Sequence, residues 1–309
     1  MAYRRTYRRR TSGRRPTTRR GTPRRSAYKG RTRVFRRSRR PMSKRRVLNI
    51  TSRKKSDTMM IYTNVIAPRN DLNTDYTTAA AILTGGASGN NNDPYIFLWS
   101  PTARDYDTNT ADNGKITDNA SRTAQTCFMR GLKENCHIQV NNGVPWEWRR
   151  IVFTCKGLWI SLPATSSQAY YSETSNGYLR TVNEVRNQAW TSLRTVLFKG
   201  QQDVDWFEPI IAPTDGKTVS VMYDKTRSLA SGNEEGMIRN YKLWHPFNKN
   251  LVYGDKESGG ETADGHWSTL GKPGMGDVWV CDIFRPRSGA DVDDRLIFRP
   301  SSTLYWHEK

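Results

Sequence analysis

Apolar and polar residues alternate in short blocks from about residue 56 to the end of the chain. β-Branched and aromatic runs are separated by clusters of Gly, Asn, Asp and Pro, which is typical of strands joined by turns. The pattern predicts ten strands: Met59 to Ile66, Tyr95 to Ser100, Gln125 to Leu132, His137 to Val140, Glu147 to Leu162, Leu193 to Phe198, Thr218 to Tyr223, Met237 to Trp244, Val278 to Phe284, and Arg295 to Phe298. So many short strands with little helix predict an all-β body.

Two segments carry more specific signals. The stretch from Trp146 to Thr154 begins with alternation and then turns apolar on both faces, which predicts a central strand. One helix is predicted as a crossover between strands, because Thr181 and Glu184 have the spacing of a capping box. The apolar residues at near-helical spacing in this segment are Val182, Val185, Ala189 and Leu193.

Three long polar segments, Thr84 to Asp93, Arg104 to Asp118 and Gly254 to Gly276, are predicted to be surface loops. Pairing every strand requires a sandwich or a barrel. We predict a single jelly-roll sandwich of two antiparallel sheets. An immunoglobulin-like sandwich is the alternative, although the chain is long for one such domain.

Charge divides the chain into two parts. The net charge is +21, and residues 1–55 hold 24 of the 50 Lys and Arg residues, whereas the first acidic residue is Asp57. The rest of the chain therefore carries 26 basic against 29 acidic residues. We predict a basic arm over 1–55 and a near-neutral jelly-roll domain over 56–309.

The arm is predicted to be disordered when free and to bind nucleic acid. It has few apolar groups to offset its ordering entropy, and its like charges repel. Twenty of its 24 bases are Arg, whose planar guanidinium holds phosphate through two hydrogen bonds. The predicted phosphate-binding residues are Arg4, Arg5, Arg8, Arg9, Arg10, Arg14, Arg15, Arg19, Arg20, Arg24, Arg25, Arg31, Arg33, Arg36, Arg37, Arg39 and Arg40.

Aromatic residues interleave with these arginines, namely Tyr3, Tyr7, Tyr28 and Phe35. A ring beside Arg can stack on an unpaired base, so the pattern suits single strands better than a duplex. The alternative interpretation is a merely solvated tail, which is the usual one for a run of five or six like charges. Two basic clusters, Lys44-Arg45-Arg46 and Arg53-Lys54-Lys55, also have the spacing of a bipartite nuclear-import signal.

Ten Trp and fourteen Tyr are more than one core requires. Because Trp, Tyr and Arg are enriched at protein interfaces, some of them are predicted to lie between subunits. The candidates are Trp146, Trp148, Arg149, Arg150, Trp206 and Trp267. The alternative is that most of these aromatic residues fill the β core.

A search for catalytic and cofactor motifs favours a structural protein. Gly216-Lys217-Thr218 resembles the end of a phosphate-binding loop, but Ile211 stands where its first Gly is required. The four His residues form no metal-binding pair, and no Gly-x-Ser-x-Gly sequence occurs. We predict no enzyme activity, no cofactor and no metal site.

Weaker alternatives involve cysteines and clustered acids. Cys127 and Cys136 are too far apart in sequence for the usual structural zinc spacing, so buried thiols in strands are favoured. The acidic pairs of the loops are interpreted as solvated, with calcium binding or a contact to another subunit as the alternative. These pairs are Asp105/Asp107, Asp203/Asp205 and Asp291/Asp293/Asp294.

Four cysteines without a signal segment favour a reducing compartment. No apolar stretch approaches the roughly 18 to 20 residues that cross a bilayer, so no membrane partner is predicted.

Five short blocks resemble the capsid proteins of genomoviruses, which are gemycircularvirus-like agents with small circular single-stranded DNA, related to geminiviruses. The blocks are Met-Ala-Tyr-Arg-Arg at the start, Lys54-Lys55-Ser56-Asp57-Thr58-Met59-Met60, Pro145-Trp146-Glu147-Trp148-Arg149-Arg150-Ile151-Val152-Phe153, Asp282-Ile283-Phe284-Arg285-Pro286, and Ser302-Thr303-Leu304-Tyr305-Trp306-His307. They occur in order from end to end of the chain.

The resemblance implies a single jelly roll that assembles into a small icosahedral virion, with its arm on the single-stranded DNA genome. It also implies host nuclear-import receptors as partners, entry into the host nucleus, and neither cofactor nor catalysis. About 60 copies would form a simple closed shell. The alternative is a non-viral protein, chromatin- or ribosome-like, with a basic tail on a β-sandwich body.

Overall fold

The computed structural model describes residues 41–70, 73–86, 93–106, 118–259, 261–263 and 265–309. Within these ranges the chain forms fourteen strands and three short helices. All but one of the strand pairings are antiparallel. The prediction of an all-β body with antiparallel sheets is confirmed.

The first sheet contains four long strands and one short one. Their order across the sheet is β1 (Arg53–Met59), β14 (Arg295–Glu308), β5 (Thr126–Val140) and β10 (Met237–Val252). The short strand β3 (Ala81–Thr84) pairs with the beginning of β14. Strands from the two ends of the folded body therefore lie side by side.

The second sheet has four strands in the order β4 (Tyr95–Trp99), β13 (Asp277–Pro286), β6 (Trp146–Cys155) and β9 (Ser220–Leu229). Every residue of β4 and nearly every residue of β13 and β6 is buried. These sequences are apolar on both faces, which allows them to pack on both sides. The prediction of a central strand after Trp146 is confirmed.

The remaining elements are short. They are α1 (Lys44–Thr51), β2 (Ile61–Thr63), α2 (Leu158–Ser161), β7 (Ser172–Thr174), β8 (Gly177–Val182), α3 (Asn187–Leu197), β11 (Lys256–Ser258) and β12 (Glu261–Ala263). β2 and β7 flank β8 in a small third sheet, and β11 pairs with β12. The segment from Gly254 to Gly276, predicted to be a loop, therefore contains a hairpin.

The inner faces of the two sheets pack against each other. Phe298 of the first sheet contacts Phe284 and Phe97 of the second, with ring centroids 5.0 and 6.4 Å apart, and Trp148 stacks on Phe284. All four rings are buried. This aromatic cluster joins the sheets into one core.

The outer sides of the two sheets differ. Ile151 and Phe153 of the second sheet lie in an apolar cluster with Leu158 of α2 and Leu193 of α3, so that side is covered by the chain itself. In contrast, alternate residues of β5 in the first sheet are exposed or half-buried. The first sheet thus presents one side to solvent.

Several predicted strands are longer in the structure. Gln125 to Leu132 and His137 to Val140 are parts of one strand, β5, and Arg295 to Phe298 is only the beginning of β14. The polar residues between these two predicted strands include Glu134, which is fully buried and forms an ion pair with Arg150 in the core. Thr218 to Tyr223 is shifted toward the C-terminus, as β9.

The structure corrects two predictions around α3. Leu193 to Phe198, predicted as a strand, belongs mainly to the helix, and Thr181 to Glu184 precedes it rather than capping it. The N-cap is Arg186, which makes no side-chain capping bond. Leu193 and Leu197 are both buried, so packing against the second sheet overrides the local signals.

The C-terminal end of another predicted strand is also helical. Glu147 to Leu162 was predicted as one strand, but β6 ends at Cys155 and α2 begins at Leu158. Gly157 between them has a φ of 72°, which reverses the chain direction at little cost only for Gly.

Candidate nucleic-acid interface

The predicted phosphate-binding residues and their aromatic neighbours all lie between Tyr3 and Arg40, outside the described residues. The same holds for the side chain of Arg45. Lys44 and Arg46 are exposed on α1, and Arg53 and Lys54 are exposed at the start of β1. These four side chains of the predicted nuclear-import clusters are therefore accessible.

Lys55 differs from them because it points into the core. Its side chain is 2% exposed, its Nζ lies 3.0 Å from Glu308 Oε2, and it donates hydrogen bonds to Ser121 O and Thr123 Oγ1. A lysine held in this way cannot serve a receptor or a phosphate without unfolding β1. The prediction of Lys55 as part of an import signal is therefore wrong.

The composition boundary between residues 55 and 56 also falls inside a strand. β1 runs through it, and Arg53 pairs with Glu308 while Lys54 pairs with His307. Residues 44–55 form α1 and the first three residues of β1. They are therefore not part of a disordered segment. The compact unit that contains both sheets begins at Lys44, since charge alone does not prevent a segment from adding to a sheet edge.

The predicted subunit contacts of β6 are core residues. Trp146, Trp148 and Arg150 are 0% exposed within a single chain, so they have no surface to offer a second copy. Arg149 is 6% exposed and forms an ion pair with Asp224. The residue types suggested an interface, but both faces of β6 are covered.

Trp206 and Trp267 are also occupied within the chain. Trp206 packs on Phe198 with ring centroids 5.1 Å apart. Trp267 stacks between Trp159 and Trp279, at 5.9 and 5.3 Å. Trp206 is 8% exposed, whereas Trp267 is half-buried against the same apolar cluster, so both rings pack mainly within their own chain.

Four charged side chains lie between the two sheets. Arg150 and Asp282 of the second sheet, Glu134 of the first sheet and Arg180 of β8 are all fully buried. Asp282 accepts hydrogen bonds from Arg150 Nε at 2.7 Å and Arg180 Nη2 at 2.8 Å, and Glu134 lies 2.5 Å from Arg150 Nη1. The two positive and two negative charges compensate each other.

Hydrogen bonds from neutral groups complete this buried cluster. Trp148 Nε1 donates to Asp282 at 2.8 Å, and Ser302 donates to Glu134 at 2.8 Å. Burial alone would raise the pKa of Asp282, but the charges of Arg150 and Arg180 and the hydrogen bond from Trp148 lower it. The cluster thus joins the two sheets through ion pairs and hydrogen bonds.

The acidic residues of the first sheet all point inward. Its four long strands contain only Asp57, Glu134 and Glu308. Asp57 pairs with Arg104 at 2.6 Å, and the other two belong to the pairs described above. No carboxylate of these strands, all of which the structure describes, is left on the outer side.

We call the outward-pointing residues of β1, β5, β10 and β14 the open face. Its cationic members are Lys54, Arg130, Lys133, Lys242, Arg295 and Arg299. Burial and the charges of Arg130 and Lys54 lower the pKa of His307 between them. The face therefore combines positive charge with an absence of carboxylates on its strands.

The remaining sequence candidates have structural roles. Cys127 and Cys136 lie nine positions apart on one extended strand, about 30 Å, and not across a turn. Burial raises the pKa of Cys136 to about 12, as expected for an inert thiol. Asp294 accepts hydrogen bonds from Asp291 N and Asn142 in the turn before β14.

Among the described residues, no group of three or more His, Cys, Asp or Glu side chains could hold a metal ion. No described helix is long and apolar enough to cross a bilayer. No protein-family model matches the chain, and no curated protein matches it.

Proposed function

We propose that the chain is the coat protein of a small single-stranded DNA virus, which builds a closed icosahedral shell and packages the genome through its basic arm. Its copies and the genome would be its main partners. The protein would act in the virion and in the host nucleus, as a structural protein rather than an enzyme.

The strand order carries this proposal. Numbered along the chain, the eight long strands β1, β4, β5, β6, β9, β10, β13 and β14 are first to eighth. The first sheet then reads 1-8-3-6 and the second 2-7-4-5.

Strands 1 and 8, 2 and 7, 3 and 6, and 4 and 5 are each adjacent and antiparallel. This is the order expected when a long hairpin of four strand pairs wraps around a sandwich, as in a jelly roll. Viral shells commonly use this architecture, which supports the proposal over a chromatin- or ribosome-like protein.

Charge segregation supplies the second argument. The arm contains 24 bases and no acid before Asp57, so it suits a polyanion without sequence selectivity. Accessible Lys44, Arg46, Arg53 and Lys54 fit a role in nuclear import.

Electron microscopy of purified full-length protein tests the proposal. We expect uniform closed particles that contain nucleic acid and require no added cofactor. Only monomers or small oligomers across salt and pH, with nucleic acid still bound, would favour the non-viral alternative.

A further inference from the structure

The open face has an aromatic pair at its centre. Trp244 of β10 is 49% exposed although it is a large apolar residue, and its ring centroid lies 5.8 Å from that of Tyr305 on β14. The intervening strand contributes Gly131, where a Cβ atom would lie 2.7 Å from Trp244 Cζ2. The absence of a side chain at Gly131 thus lets the indole lie across β5.

Cations surround this pair through the strand register. Trp244 is directly opposite Lys133, which is opposite Thr303. One row further along, Lys242 is opposite Asn135. Because paired residues of adjacent strands point to the same side of a sheet, the two lysines flank the exposed indole.

A second pair of rings lies toward the end of the same face. Phe128 of β5 and His307 of β14 have ring centroids 6.0 Å apart, and His307 is opposite Lys54. Tyr305 and His307 are two positions apart on one strand, about 7 Å. Rings and cations therefore continue along the face.

We propose that the open face is a second binding surface for single-stranded nucleic acid, on the folded body rather than on the arm. Its cations hold phosphates, and Trp244 with Tyr305 stacks on unpaired bases. Charge complementarity selects the ligand, since the strands place no carboxylate on this side. The identity of the ligand rests on the proposed packaging function.

Photocrosslinking of the full-length protein locates the bound strand directly. A 30-nucleotide oligo-dT that carries 5-bromodeoxyuridine is irradiated with the protein, and adducts are mapped by mass spectrometry after digestion. We expect adducts on peptides that contain Trp244 or Tyr305, in addition to those of the arm. Adducts confined to residues 1–43 would overturn the proposal.

The salt dependence of oligo-dT binding tests whether cations of the open face contact phosphates. The triple variant Lys133→Ala, Lys242→Ala, Arg299→Ala removes three phosphate partners, so the slope of log affinity for oligo-dT against log salt should fall by about 2. The control variant removes Lys217, Lys225 and Lys272, which are exposed but lie outside the first sheet. Equal slopes for the two triple variants would contradict the assignment.

Trp244→Ala tests stacking. Loss of one base–aromatic stack should weaken oligo-dT binding about five- to 100-fold, whereas binding of a duplex of equal length should not change. Trp244→Phe should restore much of the affinity, and Phe207→Ala, at another residue that is 73% exposed, should have no effect. Equal oligo-dT affinities for Trp244→Ala and Phe207→Ala would overturn the proposal.

Particle formation is scored in the same variants by electron microscopy. Intact particles with unchanged oligo-dT binding would eliminate the open face as a nucleic-acid surface and leave the proposed shell function standing. Lost particles with unchanged binding would instead assign this face to contacts between copies, which also overturns the proposal. Absence of particles in the unaltered protein would contradict the proposed function itself.

Discussion

The buried charge cluster shows that each buried charge requires compensating partners. Its members are Glu134, Arg150, Arg180 and Asp282. Each is 0% exposed between the sheets, where an ion is unfavourable unless opposite charges and hydrogen bonds compensate it. Asp282 accepts four of these hydrogen bonds, two from Arg150, one from Arg180 and one from Trp148.

Asp282→Ala should therefore destabilise the folded protein strongly. Both arginines would keep only Glu134 as a counter-charge, and breaking such a buried pair costs about 3–5 kcal/mol. The free energy of unfolding from urea titration measures the loss. Glu208→Ala is the control, because its ion pair with Arg285 is partly exposed and should contribute less than about 1 kcal/mol. Similar losses in both variants would contradict a special role for the cluster.

His245 gives the body an acid-sensitive residue. It is 3% exposed, and burial, aided by the charge of Arg150, lowers its pKa from 6.5 to about 4. Between these two values the unfolded chain binds a proton that the folded chain does not, so stability falls as the pH decreases. The contribution is fully present above about pH 6.5.

His245→Gln should remove this dependence. On going from pH 7 to pH 5, the unaltered protein should lose about 2 kcal/mol more stability than the variant. Comparison at both pH values is necessary because burial raises the pKa of Asp277 to about 6, which acts in the opposite direction in both proteins. Parallel stability curves for the two proteins would show that His245 titrates normally.

At the level of elements, β1 lies where the basic N-terminal sequence meets the β-rich body. It pairs with β14 along seven residues, from Arg53 to Met59, and Lys55 compensates the buried Glu308. Removal of the first three residues of this strand would leave backbone groups of β14 unpaired and Glu308 buried without its cation. The strand is therefore part of the fold although its sequence resembles the arm.

Two truncations test whether the start of β1 belongs to the fold or to the arm. Deletion of residues 1–43 should leave the melting temperature nearly unchanged, because the folded unit begins at Lys44. Deletion of residues 1–55 should lower it by several degrees, since it removes Lys55 and the first three paired residues of β1. Differential scanning calorimetry measures both. Equal melting temperatures would indicate that the start of β1 does not support the sheet.

At the level of the whole molecule, charge is separated twice. Residues 1–43 contain 18 of the Lys and Arg residues and no acid, and the first sheet sorts its own charges into paired carboxylates inside and cations outside. Both arrangements favour the binding of a polyanion. Their contributions differ in size, since the arm contains more cations than the open face.

This difference predicts how the proposed DNA binding depends on salt. Deletion of residues 1–43 should reduce the slope of log affinity against log salt by on the order of 10 for single strands, because up to 18 cations are lost. A slope of a few units should remain. A filter-binding titration from low to moderate salt measures both. A truncated protein with no remaining slope would confine nucleic-acid binding to the arm.

Much of the fold could be predicted because strand formation is a local property. The apolar run of β6 identified a central strand, and the sudden change of composition near Asp57 separated arm from body to within about a dozen residues. The burial of the candidate subunit contacts could not be predicted in this way. Trp148 and Arg150 have the residue types of an interface, and only the packing of a second sheet and its neighbours buries them.

The sequence by itself determined the all-β class, the positive arm and the alternation of β5, since each depends on neighbours along the chain. Only the tertiary structure decided which charged side chains form ion pairs in the core and which remain exposed to solvent. Glu134 and Lys133 are adjacent in sequence, yet one pairs with Arg150 in the core and the other faces solvent. The side of a sheet that becomes the interior depends on what packs against it, and those residues are far away in the sequence.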